Sequence, residues 1–290
     1  MTGTFSTSDH TQLAYEESGA GEQIIILCDG VGCDHYAWTY IRPFLENNFR
    51  VVQWNYRGHG VSERPSDPAA VRIENHAEDL NTLLEHIGGE QCLLLGHSMG
   101  IQVILEFYAR YPAKVLGLIP VCGSYEYPLD TFMGSSQFKE YVFPILFKIM
   151  TEENLGFSIL WKQTFPSNLA WRIACLLELN SRLIRRADFQ PYLEHMAQLD
   201  IDLFARTLKA ASEHSAEPFL ETIDVPTLIF AAEKDGFTPV EVSHAMARRI
   251  PKSELCVIPG ASHSAPIEVP DLFLLRLEKF LLEHGFLSTP

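Results

Sequence analysis

Three stretches carry residues whose types and spacing could do covalent chemistry. The first is Gly96-His97-Ser98-Met99-Gly100. A serine between glycines at this spacing suits a very sharp turn, because a Cβ at either glycine would collide with neighbouring backbone. Such a turn strains the serine and pushes its hydroxyl clear, ready to attack an electrophile once a base takes its proton. The second is Pro259-Gly260-Ala261-Ser262-His263-Ser264. Among eleven histidines, His263 stands out by its place in a loop after the last strand-like run, since the ends of strands in an open sheet are where ligands bind. The third is Glu233-Lys234-Asp235-Gly236. Asp235 is the expected acid, accepting Nδ1–H of His263 to fix the tautomer and stabilise the imidazolium. Glu233 is its neighbouring rival and Glu126 a more distant one.

Acyl chemistry at a serine also needs two aligned backbone N–H donors for the oxyanion. Met99, at the start of the next helix, supplies one in this reading. The loop Asp29-Gly30-Val31-Gly32-Cys33 supplies the other, placed at Val31, because its two glycines let the backbone approach a ligand closely. Gly30, Cys33 and His97, beside these donors and the serine, are expected to touch substrate.

These residues need elements to hold them. An apolar run, Cys92 to Leu95, precedes the serine turn and a helical pattern follows it to Tyr111-Pro112, which reads as buried strand, turn and helix. Further strands are predicted over 12–18, 23–28, 51–54, 115–121, 227–232 and 254–258. Helices are predicted over 35–46, 73–87, 240–250 and 272–282. Strands alternating with helices imply a mostly parallel, doubly wound sheet covered on both faces. Residues 124–217 interrupt that alternation. They are helical in spacing and rich in aromatics, and read as a helical cap inserted into a core domain made of 1–123 and 218–290. Phe143, Phe147 and Trp161 are the cap residues predicted to line an apolar acyl pocket. Arg182, Arg185 and Arg186 read as a solvated helix face.

Composition narrows the class further. The 290 residues are 47% hydrophobic and 20% charged, which are globular values, and the net charge is −15. Such an acidic chain lacks the basic surface that nucleic acid needs, and it is not drawn to anionic lipid. Six cysteines without C-x-x-C pairs read as small buried hydrophobes in a reducing compartment, and no Cys/His cluster has metal-ligand spacing. No apolar run is long enough to cross a bilayer, and residues 1–10 carry no signal pattern. A cytoplasmic protein without stable membrane insertion is expected.

Five landmarks in order resemble the α/β-hydrolase superfamily across nearly the whole chain. They are the strand leading to Asp29-Gly30 with Trp38 downstream, Tyr56-Arg57-Gly58-His59-Gly60-Val61-Ser62, Gly96-His97-Ser98-Met99-Gly100, Glu233 to Pro239, and Gly260-Ala261-Ser262-His263 with Pro270 and Phe273 beyond. The resemblance implies the fold, a Ser98–Asp235–His263 triad and a lid between the sixth and seventh core strands. The resemblance does not fix the substrate; the reaction expected of these residues is ester cleavage through an acyl-enzyme, without metal or organic cofactor. The apolar cap favours medium or long acyl esters of monoacylglycerol or lysophospholipid type. Carbon–carbon hydrolysis of a ketonic intermediate, perhydrolysis and a receptor role on the same fold are the alternatives. Two positions depart from the family pattern. Asp29 stands where the loop usually has histidine, which puts a carboxylate near a site meant to hold an oxyanion. Asn55 stands where aspartate is frequent, and reads as structural. Arg57 is expected to tie loops together.

Overall fold

The computed structural model describes residues 1–132, 136–152, 155–177 and 179–288. Eight strands form one sheet in the order β1-β2-β4-β3-β5-β6-β7-β8. They are β1 (Thr2–Ser6), β2 (Gln12–Ser18), β3 (Ile24–Cys28), β4 (Arg50–Trp54), β5 (Cys92–His97), β6 (Val115–Val121), β7 (Thr227–Ala232) and β8 (Ser253–Ile258). Pairing is parallel from β4 through β8, and only β1 and β2 run antiparallel to their neighbours. Every residue of β3 and β5 is buried. That is why both read as unbroken apolar runs: helices cover both faces of a parallel sheet.

The strand order reverses at β3. The chain goes from β3 to β4 on one side, then returns to place β5 on the other. The loop after β3 and the turn after β5 therefore leave from adjacent strands at the switch point of the sheet, where a crevice opens in such folds. Register sets them side by side, with Cys28 opposite Gly96.

Helices α1 (Arg42–Glu46), α2 (Ile73–His86) and α3 (Met99–Arg110) serve the first half of the sheet. Residues Met99 to Tyr108 of α3 are all buried, so the helix after the serine turn is a core element. The predicted helix over 35–46 splits in two. Tyr36–Trp38 makes one 3-10 turn with all three residues buried, and the helix restarts at Arg42 with Pro43, whose missing N–H is tolerated only in a first turn. The sequence reading also missed β1. This edge strand buries only Phe5, and a single inward side chain leaves little alternation to detect.

Between β6 and β7 lie α4 (Pro128–Thr131), a π turn over Phe138–Val142, α5 (Phe143–Thr151), α6 (Leu155–Thr164), α7 (Asn168–Leu177), α8 (Arg186–Gln198) and α9 (Ile201–Glu213). Glu126 and Ser215 form an isolated antiparallel bridge that brings the two ends of this segment together. It leaves and re-enters the sheet at nearly one place, as an insertion must. The chain then closes with α10 (Val240–Arg249), α11 (Ala265–Glu268) and α12 (Pro270–Glu283). Among the described residues no helix is long and apolar enough to cross a membrane.

Candidate active site

Ser98 sits at φ 55° and ψ −119°, left-handed backbone that non-glycine residues seldom adopt. The local packing explains how the turn is held. A Cβ on Gly96 would stand 2.4 Å from the Gly100 carbonyl oxygen, and one on Gly100 would stand 2.3 Å from the Cys28 carbonyl oxygen. Both glycines are thus required by backbone contact, as the motif implied. A third glycine was not foreseen: a Cβ on Gly123, just past β6, would lie 2.5 Å from the Ser98 carbonyl oxygen. The Ser98 N–H donates to the Val121 carbonyl at 3.0 Å, which ties the strained residue to the neighbouring strand.

The structure brings Ser98, His263 and Asp235 into one hydrogen-bonded chain. His263 Nε2 lies 3.0 Å from Ser98 Oγ, and its Nδ1 lies 2.9 Å from Asp235 Oδ2. The donor and acceptor come from the ends of β5, β7 and β8, which is why residues 165 and 28 positions apart from His263 can meet it. Asp235 is buried, and its carboxylate is fully engaged. Oδ1 accepts from the Phe237 and Thr238 N–H groups at 2.9 Å each, and Oδ2 accepts from the Thr238 hydroxyl at 2.8 Å. Burial pushes this carboxyl up, but the charge of His263 and the donated hydrogen bonds outweigh it and hold it below its ordinary value. Asp235 is therefore anionic beside the imidazole. Its rivals are occupied elsewhere: Glu233 accepts from the Gly260 N–H, and Glu126 from the Ser215 hydroxyl.

The loop after β3 closes the other side. Val31 and Met99 both border the cavity at Ser98, and neither backbone N–H donates within the protein among the described residues. Gly30 lies under the serine, where a Cβ would be 3.0 Å from Ser98 Cβ. Asp29 does not point its charge at this space unpaired. Oδ2 accepts from the His35 N–H at 2.9 Å and meets His35 Nδ1 at 2.8 Å. Burial lowers the pKa of His35, but the Asp29 charge and hydrogen bond prevail and raise it. The Tyr56 hydroxyl holds the Asp29 carbonyl at 2.9 Å. The bracing histidine absent from position 29 enters from elsewhere. His59 Nε2 accepts the Gly32 N–H at 3.0 Å, so Nδ1 bears the proton and donates to the Arg57 carbonyl at 3.1 Å. Burial draws the pKa of His59 down to about 4, which keeps Nε2 free to accept. Arg57 pairs through two bonds with buried Asp79, at 2.7 and 2.8 Å, and with Asp9 at 2.5 Å, a loop tie as expected.

A cavity of about 180 Å³ opens over Ser98 and His263. Cys33, Tyr36 and His97 border it from the core, and Phe132, Phe138 and Phe204 from the helical segment. His97 Nε2 meets the His263 carbonyl oxygen at 3.0 Å, and burial with the charge of His263 lowers its pKa to about 4. Phe143, Phe147 and Trp161 do not reach the cavity, contrary to the sequence reading. Phe143 packs behind Phe138 with ring centroids 6.5 Å apart, and Phe147 packs on Phe143. Trp161 packs tilted against Phe165, with ring centroids 4.3 Å apart, and donates its indole N–H to the Met196 carbonyl. The aromatics of this segment thus sort into a lining layer and its backing, which apolar character alone does not distinguish. Phe237, in the same short loop as Asp235, also borders the cavity and lies 5.1 Å from the His263 ring; proximity to the acid was the available signal. Arg185 pairs with Asp188, and Arg186 bonds Asn168 and Gln190, as a solvated helix face does.

The chain belongs to the α/β-hydrolase fold family, whose model matches residues 23–270. A thermophilic esterase from Thermogutta terrifontis is similar across 98% of this chain and 99% of its own, with 25% identity and a TM-score of 0.76. The enol-lactonase from Burkholderia xenovorans LB400 shares the fold with a TM-score of 0.79 and 21% identity, over 96% of this chain and 99% of its own. A provisionally named carbamate hydrolase, RutD, from Caulobacter sp. (strain K31) is 23% identical over 260 residues, 89% of this chain and 90% of the relative.

Proposed function

We propose that the protein is a serine hydrolase that cleaves carboxylic esters through an acyl-enzyme. The observation that carries this reading is the chain Ser98–His263–Asp235 at 3.0 and 2.9 Å, opening onto a mostly apolar cavity. Ser98 Oγ attacks the ester carbonyl while His263 Nε2 takes its proton. The Val31 and Met99 N–H groups receive the oxyanion. Asp235 holds the imidazole in the required tautomer and offsets its positive charge. His263 then protonates the departing alkoxide, takes a proton from water, and hydroxide equivalent attacks the acyl group to regenerate Ser98. The helices between β6 and β7 act as the cap over this reaction.

The cavity narrows the substrate reading. An apolar cavity of about 150 Å³ holds a benzene-sized guest, and this one is only slightly larger. It fits a short or aromatic acyl group better than the medium or long chain that the apolar cap favoured. A p-nitrophenyl ester series from acetate to decanoate tests both points. Turnover is expected to peak at short chains. Ser98→Ala should remove it by at least about 10⁴-fold, abolish the fluorophosphonate mass adduct and leave the melting temperature nearly unchanged. Hydrolysis or labelling retained in S98A overturns the assignment.

A further inference from the structure

The base sits on a loop that the sheet does not hold. Residues 259–264 lie between β8 and α11, outside any strand or helix. Ser262, just before His263, is held instead by Glu268, the last residue of α11. Glu268 Oε2 accepts the Ser262 N–H at 2.6 Å, and Oε1 accepts the Ser262 hydroxyl at 2.5 Å. Glu268 is buried, and a third donor reaches it from the cap. The Asn180 N–H lies 2.7 Å from Glu268 Oε1 and 3.1 Å from Ser262 Oγ. The Asn180 side chain adds a second tie to the same loop, since its Nδ2 donates to the Gly260 carbonyl at 2.7 Å.

Asn180 belongs to the link between α7 and α8. Helix α8 carries Tyr192, which borders the cavity, and Phe189, which packs on Tyr36. The part of the cap that walls the cavity is thus continuous with the link that grips the base loop. A buried carboxylate is costly unless its charge is hydrogen-bonded. Withdrawal of the link would take a donor from Glu268 and free the Gly260 carbonyl. The loop would then hold His263 less firmly, although Nε2 must stay 3.0 Å from Ser98 Oγ to take its proton. A misplacement of about 1 Å in such a group costs about 10²-fold in rate.

We propose that Glu268 is a positioning residue for His263, and that through Asn180 it makes the alignment of the base depend on docking of the α7–α8 link. Cap docking and base alignment are then one event. Neither Glu268 nor Asn180 borders the cavity over Ser98. Their loss therefore acts on kcat and leaves KM in place. The inference rests on the hydrolase reading above and adds a control on its base.

The test measures kcat and KM on the best short p-nitrophenyl ester, well below the melting temperature. Active protein is counted by fluorophosphonate titration, so unfolded chains do not enter. In Glu268→Gln one amide orientation sets its NH2 against the Ser262 N–H, and the other sets it against the Asn180 N–H. Its kcat should fall by about 10²-fold with KM changed by less than about twofold. Ser262→Ala keeps the Glu268 charge and should lower kcat by about tenfold; it reads the same contact should E268Q fail to fold. Asn180→Ala removes the bond to Gly260 and should also cost about tenfold. In the double variant N180A/E268Q, kcat should match that of E268Q within about twofold, because both changes break one linkage. A kcat within about twofold of wild type in folded E268Q or S262A overturns the positioning role, since a merely structural tie moves only the melting temperature. Losses that multiply in the double variant overturn the dependence on the cap. Absence of both turnover and fluorophosphonate labelling in the wild type removes the hydrolase reading, and this inference with it.

Discussion

Two histidine–aspartate pairs flank the serine turn, and their atoms match. His263 Nδ1 meets Asp235 Oδ2 at 2.9 Å, and His35 Nδ1 meets Asp29 Oδ2 at 2.8 Å. Both pairs follow a parallel strand of one sheet. Their surroundings separate them. The second nitrogen of His263 meets Ser98 Oγ at the cavity, whereas that of His35 lies 3.4 Å from the Asn55 amide. Asp235 receives three further hydrogen bonds from Phe237 and Thr238, but one oxygen of Asp29 stays buried and unpartnered among the described residues. The contrast teaches that a His–Asp pair does not define a base. What defines it is the group presented to the other ring nitrogen. The same pairing, turned away from the serine, becomes a buttress for a carboxylate in the loop after β3.

Breaking the pairs should give unequal results. Asp235→Asn should cost the most, lowering kcat by about 10⁴-fold, because the amide favours the wrong tautomer of His263. Steady-state kinetics on the best short ester measures this, and a loss below tenfold would erase the functional difference between the pairs. His59→Phe comes next. It strips the Gly32 N–H of its acceptor in a buried loop, costing about 1–3 kcal/mol of stability. It should also loosen Val31, lowering kcat more than it raises KM; thermal melts and kinetics together read both effects.

Asp29→Asn should have the smallest effect on turnover and a distinct dependence on pH. The folded-state pKa of His35 is raised above its unfolded value. The stability from its pairing is therefore fully present below about pH 6.5 and is lost as pH rises through the folded value. The loss of melting temperature in D29N should be larger at pH 5.5 than at pH 9. Equal losses at the two pH values would show that the Asp29–His35 pair is not a charge pair. His59 and His97 act in the opposite direction on the wild type. Their folded values, near 4, lie below the unfolded one, so stability falls as pH drops from about 6.5 toward 4.

Legibility followed the range over which each feature is decided. Gly96, Ser98 and Gly100 were readable because the steric demand of the turn acts over five residues, and apolar strand and helical periodicity on either side confirm its setting. The order of serine, acid and histidine was readable because parallel strands deliver successive loops to one end of the sheet. Residues whose roles depend on distant partners were not. Gly123 looks like any glycine after a strand until the Ser98 carbonyl is placed against it. His59 was visible as part of a loop motif, but its bond to Gly32 joins positions 27 apart.

The sequence by itself determined the mostly parallel sheet apart from its edge strand β1, the serine turn and the chain order of the polar groups around it, because local sterics and hydrophobic period act through near neighbours. Tertiary structure alone decided which charges face the serine and which face away. Asp29 is a threat to an oxyanion in the sequence, and in the fold one of its oxygens is held by His35. Phe132 and Phe138 border the cavity while Phe143, Phe147 and Trp161 stand behind it or apart. Five aromatics of one segment carry the same apolar driving force. Only the packing of helices against the core chooses which of them meets a substrate.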